Sequence, residues 1–199
     1  MIHGVLLRWV VTGLFALGAI ECALPILTRR RPWPMVLSHG LHVVMAVAMA
    51  AMAWPWSMRA PTTALTVVFL LAAAWFATMA LAAARTPAQR RLSGYHVLMM
   101  LATAWMYAAM NGPPTTAPAP ARSGAAMPGM DMAATGTPPY AAWITAMDWL
   151  GALIFGAATL FWTLRYLTGT ARLKSLGNLA QAAMAAGMAV LFLAAVSRI

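Results

Sequence analysis

The chain has 199 residues, 63% of them hydrophobic and 8% charged, with a formal net charge of +10. A soluble domain is about a quarter charged, so this composition excludes one, and apolar runs of roughly 20 residues, the length that spans a bilayer, recur along the chain. The basic residues sit in short segments between those runs, a placement that speaks against nucleic acid as a partner, and the single cysteine, Cys22, excludes an internal disulfide.

Helices are the expected spanning element, because strand-length alternation is absent. The first is expected over 4–27. It lacks a basic leading segment, carries Arg8 and Glu21, and is followed by "TRRR" rather than a small-residue cleavage site, so it reads as a retained helix. The others are expected over 35–56, 61–84, 92–111, 141–167 and 176–196, with prolines in "RRRPWP", "PWSMRAP" and "RTPAQRR" as stops. The expected fold is all-α: a polytopic bundle of six transmembrane helices, one domain over 1–199. Residues 112–140, rich in Pro, Ala, Thr and Met, are expected to form a disordered segment within it.

The charges predict an orientation. Arg29, Arg30, Arg31, Arg85, Arg90, Arg91, Arg165, Arg172 and Lys174 occupy alternate connections, while the others hold Arg59 and Arg122 and the C-terminus holds Arg198. By the positive-inside rule both termini and the 112–140 segment are extracytoplasmic, in a multi-pass protein of the cell membrane.

The second and fourth helices carry a repeat. "HVVMAVAMAAM" from His42 aligns without a gap on "HVLMMLATAWM" from His96, pairing Met45 with Met99 and Met52 with Met106. In the second helix Met35, His42, Met49 and Trp56 are seven apart. In the fourth, His96, Thr103 and Met110 are. Such spacing keeps residues on one helix face. Each helix is thus expected to present a stripe, histidine toward the cytoplasm and methionine outward, with Ala, Val and Leu toward lipid. Methionine at this spacing also serves packing. An intramembrane histidine usually faces the bundle interior.

At 1.5 Å per residue, Glu21 lies about 9 Å from the cytoplasmic end of its helix, close to the depth of His39, His42 and His96. Two or three imidazoles with a carboxylate suit a transition metal, and two imidazoles alone suit haem. A His–Glu pair can equally relay protons or offset burial of charge. Cys22, about 100° around the helix from Glu21, is expected to face lipid. Arg8 and Asp148, nearer the outside, are expected to pair or snorkel. In the long connection, "MPGMDM" clusters Met127, Met130 and Met132, and soft thioethers favour monovalent copper.

The stretches "HGLHVVMAVAMAAMAWPW" (39–56), "YHVLMMLATAWMYAAM" (95–110) and "AAWITAMDWLGALIF" (141–155) resemble those of uncharacterised actinobacterial multi-pass membrane proteins grouped as a domain of unknown function. Thr103 departs from the alanine-methionine repetition of similar proteins. The resemblance implies an integral membrane protein and no reaction.

No phosphate-binding glycine loop, serine elbow or zinc-helix motif is present, which speaks against an ordinary enzyme. Three functions stay open. One is copper binding or handling, with capture at Met127, Met130 and Met132 and a deeper site at Glu21, His39, His42 and His96 flanked by Met45 and Met99. Another is haem-based electron transfer through His42 and His96. The third is a structural accessory subunit for other membrane proteins, held by close-packing alanine stretches.

Overall fold

The computed structural model describes residues 4–28, 32–56, 61–110, 139–168 and 172–197, with side chains of the last two helices described from 142 and 177 onward. These residues form six α-helices: α1 (Val5–Thr28), α2 (Trp33–Met52), α3 (Thr62–Thr78), α4 (Pro87–Met110), α5 (Pro139–Thr168) and α6 (Arg172–Ser197). No strand occurs among them, as expected. Five helices are long and apolar enough to cross a membrane. The exception is α4, whose first turns carry Gln89, Arg90 and Arg91.

The boundaries of α2 and α4 differ from the sequence expectation for local reasons, and α6 starts at Arg172 rather than 176. Helix α2 starts at Trp33, with Pro32 and Pro34 in the cap and first turn, where a missing N–H costs nothing. It ends at Met52, and the chain then turns ahead of Pro55. Helix α4 starts at Pro87 rather than 92. Gln89 Oε1 accepts hydrogen bonds from the amides of Arg85 (3.0 Å) and Thr86 (3.2 Å), and the Gln89 amide donates to Thr86 Oγ1 (3.2 Å). "TPAQ" is thus a capping box with proline in the first turn, a helix start rather than a stop. Between these elements α3 widens into a π-helical turn, Met79–Ala83, before Ala84 leaves in an extended conformation.

Sequential helices pack as antiparallel hairpins, α1 with α2, α3 with α4 and α5 with α6, and α6 also packs on α1. Ring pairs mark the alternation. Trp9 meets Trp54, Trp33 meets Trp75, Tyr95 meets Trp162 and Trp105 meets Trp143. The bundle therefore has a basic end, where Arg85, Arg90, Arg91 and Arg165 lie, and a loop end, where residues 111–138 connect α4 to α5.

Helix α6 is central: 61% of its apolar stretch is buried, against 17–28% in the other apolar helices. It achieves this with small residues. A Cβ on Gly187 would stand 2.8 Å from the ring of Phe15 on α1, and one on Gly18 of α1 would stand 2.5 Å from Met184 Cγ. The two helices exchange a large side chain for a glycine in both directions, the close approach that drives helix association in lipid. Alanines fill the core (Ala46, Ala72, Ala104, Ala185), while Val44, Val47, Leu71 and Leu153 face outward. Lipid is as apolar as leucine, so hydrophobicity does not sort inside from outside, and the core mixes small residues with large Phe and Met side chains. On α2 and α4 the expectation that alanine faces lipid is corrected for Ala46, Ala104 and the α2 cap Ala53, while Ala16, Ala74 and Ala157 on other helices do face outward.

Candidate functional site

Helices α2 and α4 run parallel and bring His42 and His96 together. Their ring centroids are 4.3 Å apart at an interplanar angle of 76°. Phe76 of α3 closes over both imidazoles, 5.0 Å from His42 and 5.3 Å from His96. Farther along, the Tyr107 hydroxyl donates to the Ala48 carbonyl at 3.0 Å, so α4 meets α2 in increasing order on both helices.

Hydrogen bonds set the tautomers. His42 Nδ1 lies 2.8 Å from the Ser38 carbonyl one turn back. A carbonyl only accepts, so the His42 proton is on Nδ1 and the lone pair is on Nε2. That Nε2 is buried without a hydrogen-bond partner, and the residue is 5% exposed. Ser38 is itself held, its hydroxyl accepting from Trp75 Nε1 at 3.1 Å. His96 Nε2 accepts a long hydrogen bond, 3.4 Å, from the Gln181 side-chain amide of α6. Its lone pair is thus also on Nε2, and the Gln181 Oε1 is left buried without a partner. An imidazole whose Nδ1–H is fixed on a carbonyl and whose Nε2 is free is in the form a metal ligand takes.

Methionine continues from this pair toward the loop end. Met45 and Met49 on α2, Met99 and Met100 on α4, and Met184 and Met188 on α6 are all 0% exposed. The stripes are interior only in their middle turns: Met35 and Trp56, at the ends of the α2 series, are 46% and 63% exposed. Met110, at the end of the α4 series, is 43% exposed.

The other residues singled out from sequence are placed as follows. His39 is half-buried, with Nδ1 on the Met35 carbonyl at 2.8 Å. Glu21 faces α6, where its Oε1 would lie 3.6 Å from a Cβ on Gly177, one turn before Gln181. Among the described residues no three His, Cys, Asp or Glu side chains gather into a metal-binding group. Cys22 is 6% exposed and belongs to the core, correcting its lipid-facing assignment. Asp148 accepts a hydrogen bond from Trp105 Nε1 at 3.1 Å. Met127, Met130 and Met132 lie outside the described residues, as does nearly all of the 112–140 segment.

Three contributors, all on α6, escaped the sequence reading. Gln181 is the polar residue inside the apolar "LAQAAMAAGMAV" of α6, and that isolation was its signal. Met184 and Met188 follow it at helical spacing.

The family described as "Domain of unknown function (DUF5134)" matches residues 34–195. Uncharacterised proteins of Mycobacterium tuberculosis and Mycobacterium bovis are 50% identical over 98% of this chain and 98% of their own length. No solved structure matches.

Proposed function

The chain belongs to the DUF5134 family of unknown function, and from the geometry of its interior we propose that it is a copper-handling protein of the cell membrane. Monovalent copper is held between His42 and His96, and the buried methionines form its path. The observation that carries this reading is the buried, unpartnered Nε2 of His42 beside a second imidazole at 4.3 Å. A buried nitrogen lone pair without a donor is costly unless something occupies it. Beside the two imidazoles lies the Gln181 amide, and thioethers follow one turn on along α2 and α4; imidazole with thioether suits a soft monovalent ion. The 3.4 Å amide contact to His96 is weak enough to be displaced when an ion takes that lone pair.

The spacing speaks against haem, and a bare ion on both Nε2 lone pairs, at the same distance of about 2 Å from each, needs the rings to part by only roughly 1 Å from their packed position. Two imidazoles ligating one iron at about 2 Å each hold their centroids about 6 Å apart, with a macrocycle between them. At 4.3 Å and edge to face, the two rings pack directly on one another.

In this reading the basic end is cytoplasmic and both termini are outside. Met127, Met130 and Met132 capture the ion at the outer face and deliver it inward, while Glu21 and His39 lie at the cytoplasmic side of the pair. Protons compete for the same Nε2 lone pairs, so copper loading falls as pH drops. The test is copper content after purification under reducing, copper-supplemented conditions. Wild type should retain copper, His39→Ala should retain it, and His42→Ala/His96→Ala should lose it. Equal copper in wild type and the double variant would refute the site and leave the accessory-subunit reading standing.

A further inference from the structure

At the loop end of the bundle a cavity of about 290 Å³ opens between α2, α4, α5 and α6. Its sulfur and oxygen donors are Met52, Met106, Met110 and Asp148. The remainder of its lining is alanine, isoleucine and leucine. Asp148 is 8% exposed, and the Trp105 indole N–H fixes one carboxylate oxygen at 3.1 Å. Among the described residues that line the cavity there is no basic side chain to neutralise it. A carboxyl group so placed within a membrane helix is costly to ionise, so it either stays protonated or takes its counter-charge from what binds beside it.

We propose that Met52, Met106, Met110 and Asp148 form a second, outer binding site for a soft monovalent cation, the ion that then passes to the imidazole pair. This deepens the copper reading and rests on it for the identity of the ion. Three features of the donor set select the class. Thioethers prefer a soft ion. One carboxylate with three neutral sulfurs balances a single positive charge, so the loaded site is neutral in a low-dielectric setting. Calcium and magnesium need about six oxygen ligands, which the lining does not offer.

The position fits an entry point. Exposure falls along α4 from Met110 (43%) to Met106 (8%) to Met99 (0%). Met106 is ten residues from His96, about 15 Å along the helix. Met45, Met49 and Met99, all fully buried, lie at the intervening levels. An ion leaving the outer cavity thus meets thioether at successive turns before imidazole. The Trp105 hydrogen bond aims the carboxylate, as groups behind metal ligands do.

The test uses silver(I), a redox-inert stand-in for copper(I), on the full chain in lipid nanodiscs. Methionines are labelled with a methionine-selective oxaziridine and read residue by residue by mass spectrometry, so the loop methionines are scored separately. Coordination ties up the sulfur lone pair and blocks labelling. Silver should protect Met106 and Met110 in wild type. Protection should persist in His42→Ala/His96→Ala, because the outer site does not need the imidazoles. In Asp148→Asn, which keeps the side-chain shape, protection should require on the order of tenfold more silver. Met106 and Met110 labelling at the same rate with and without silver in wild type would overturn the outer site, and that arm needs no variant to fold. Unshifted protection in Asp148→Asn would overturn the role of the carboxylate. If labelling is unprotected while copper retention still depends on His42 and His96, the outer site fails and the deeper one stands. If protection is found but retention ignores the histidines, the reverse holds.

Discussion

The α1–α6 seam permits a sharp test because its glycines meet different neighbours. Gly187→Ala would put a methyl group 2.8 Å from two ring carbons of Phe15 and 3.3 Å from a third. Carbon–carbon contacts are optimal at about 3.5–4.0 Å, so the ring must retreat by roughly 1 Å. Phe15 is 0% exposed, and its retreat is eased only on the side where it borders a groove between α1 and α2. Overpacking of this kind costs about 1–3 kcal/mol. Against it stands the gain from replacing a helical glycine by alanine, up to about 1 kcal/mol. Gly156→Ala isolates that gain, because nothing lies within 4 Å of a Cβ there. The informative quantity is the difference between the two variants, which should be about 1–3 kcal/mol in favour of Gly156→Ala. Reversible unfolding by titration with a denaturing detergent in mixed micelles measures it. A second-site change assigns the cause. Phe15→Leu removes the clashing ring atoms, so combining it with Gly187→Ala should cost less than the sum of the single changes, with a coupling of about 0.5–3 kcal/mol. Equal stability of the two alanine variants, or strict additivity in the double variant, would show that α1 and α6 do not interlock through Phe15 and Gly187.

Two further outcomes are expected. Tyr107→Phe removes the hydroxyl that donates to the Ala48 carbonyl between α4 and α2. It should lower stability in the same titration by about 0.6 kcal/mol, the average for interhelical hydrogen bonds in a bilayer, and a neutral result would mean the bond is replaced by water. A reporter that works only in the cytoplasm, fused after Ile199, should stay silent if the basic end is cytoplasmic, and an active fusion would invert the proposed direction of copper capture.

The six helices were legible because an apolar run near 20 residues has few other uses. The paired histidines were legible because equal positions in an ungapped repeat, on parallel helices, fall at equal depth. What was not legible was which side of each apolar helix faces in. Hydrophobic periodicity reports burial only when the alternative is water. In α1 almost every residue is apolar, so the buried series Val11, Phe15, Gly18 and Cys22 does not stand out by hydropathy. Its 4-3-4 spacing and its glycine were the available signal, and they place Cys22 inside. The same reasoning applies to α6, where Gln181, Met184, Gly187 and Met188 share the interior without a charge to announce them.

This difference bears on how the methionines should be read. In a water-soluble core, methionine competes with leucine for burial, and a methionine stripe needs no ligand to explain it. Here leucine and valine are spent on the lipid face, and the interior is built from alanine, glycine and methionine with a few phenylalanines. Packing alone would be served by leucine opposite alanine as well as by methionine. It gives no reason for the thioethers of α2, α4 and α6 to lie at levels between a buried carboxylate at one end and two imidazoles with Nε2 lone pairs at the other. The proposed path for a soft ion would use that arrangement: a charge at the entrance to offset desolvation, exchangeable neutral donors along the way, and nitrogen donors where the ion is to rest. Replacing Met45, Met49 and Met99 together by leucine separates the two explanations. Leucine is a close match in volume, so packing should survive with a loss of less than about 1.5 kcal/mol per site. Delivery of copper from outside to the His42–His96 pair should slow in these variants, even though both end sites remain intact. Unchanged delivery in a stably folded triple variant would assign the methionines to packing and detach them from the path.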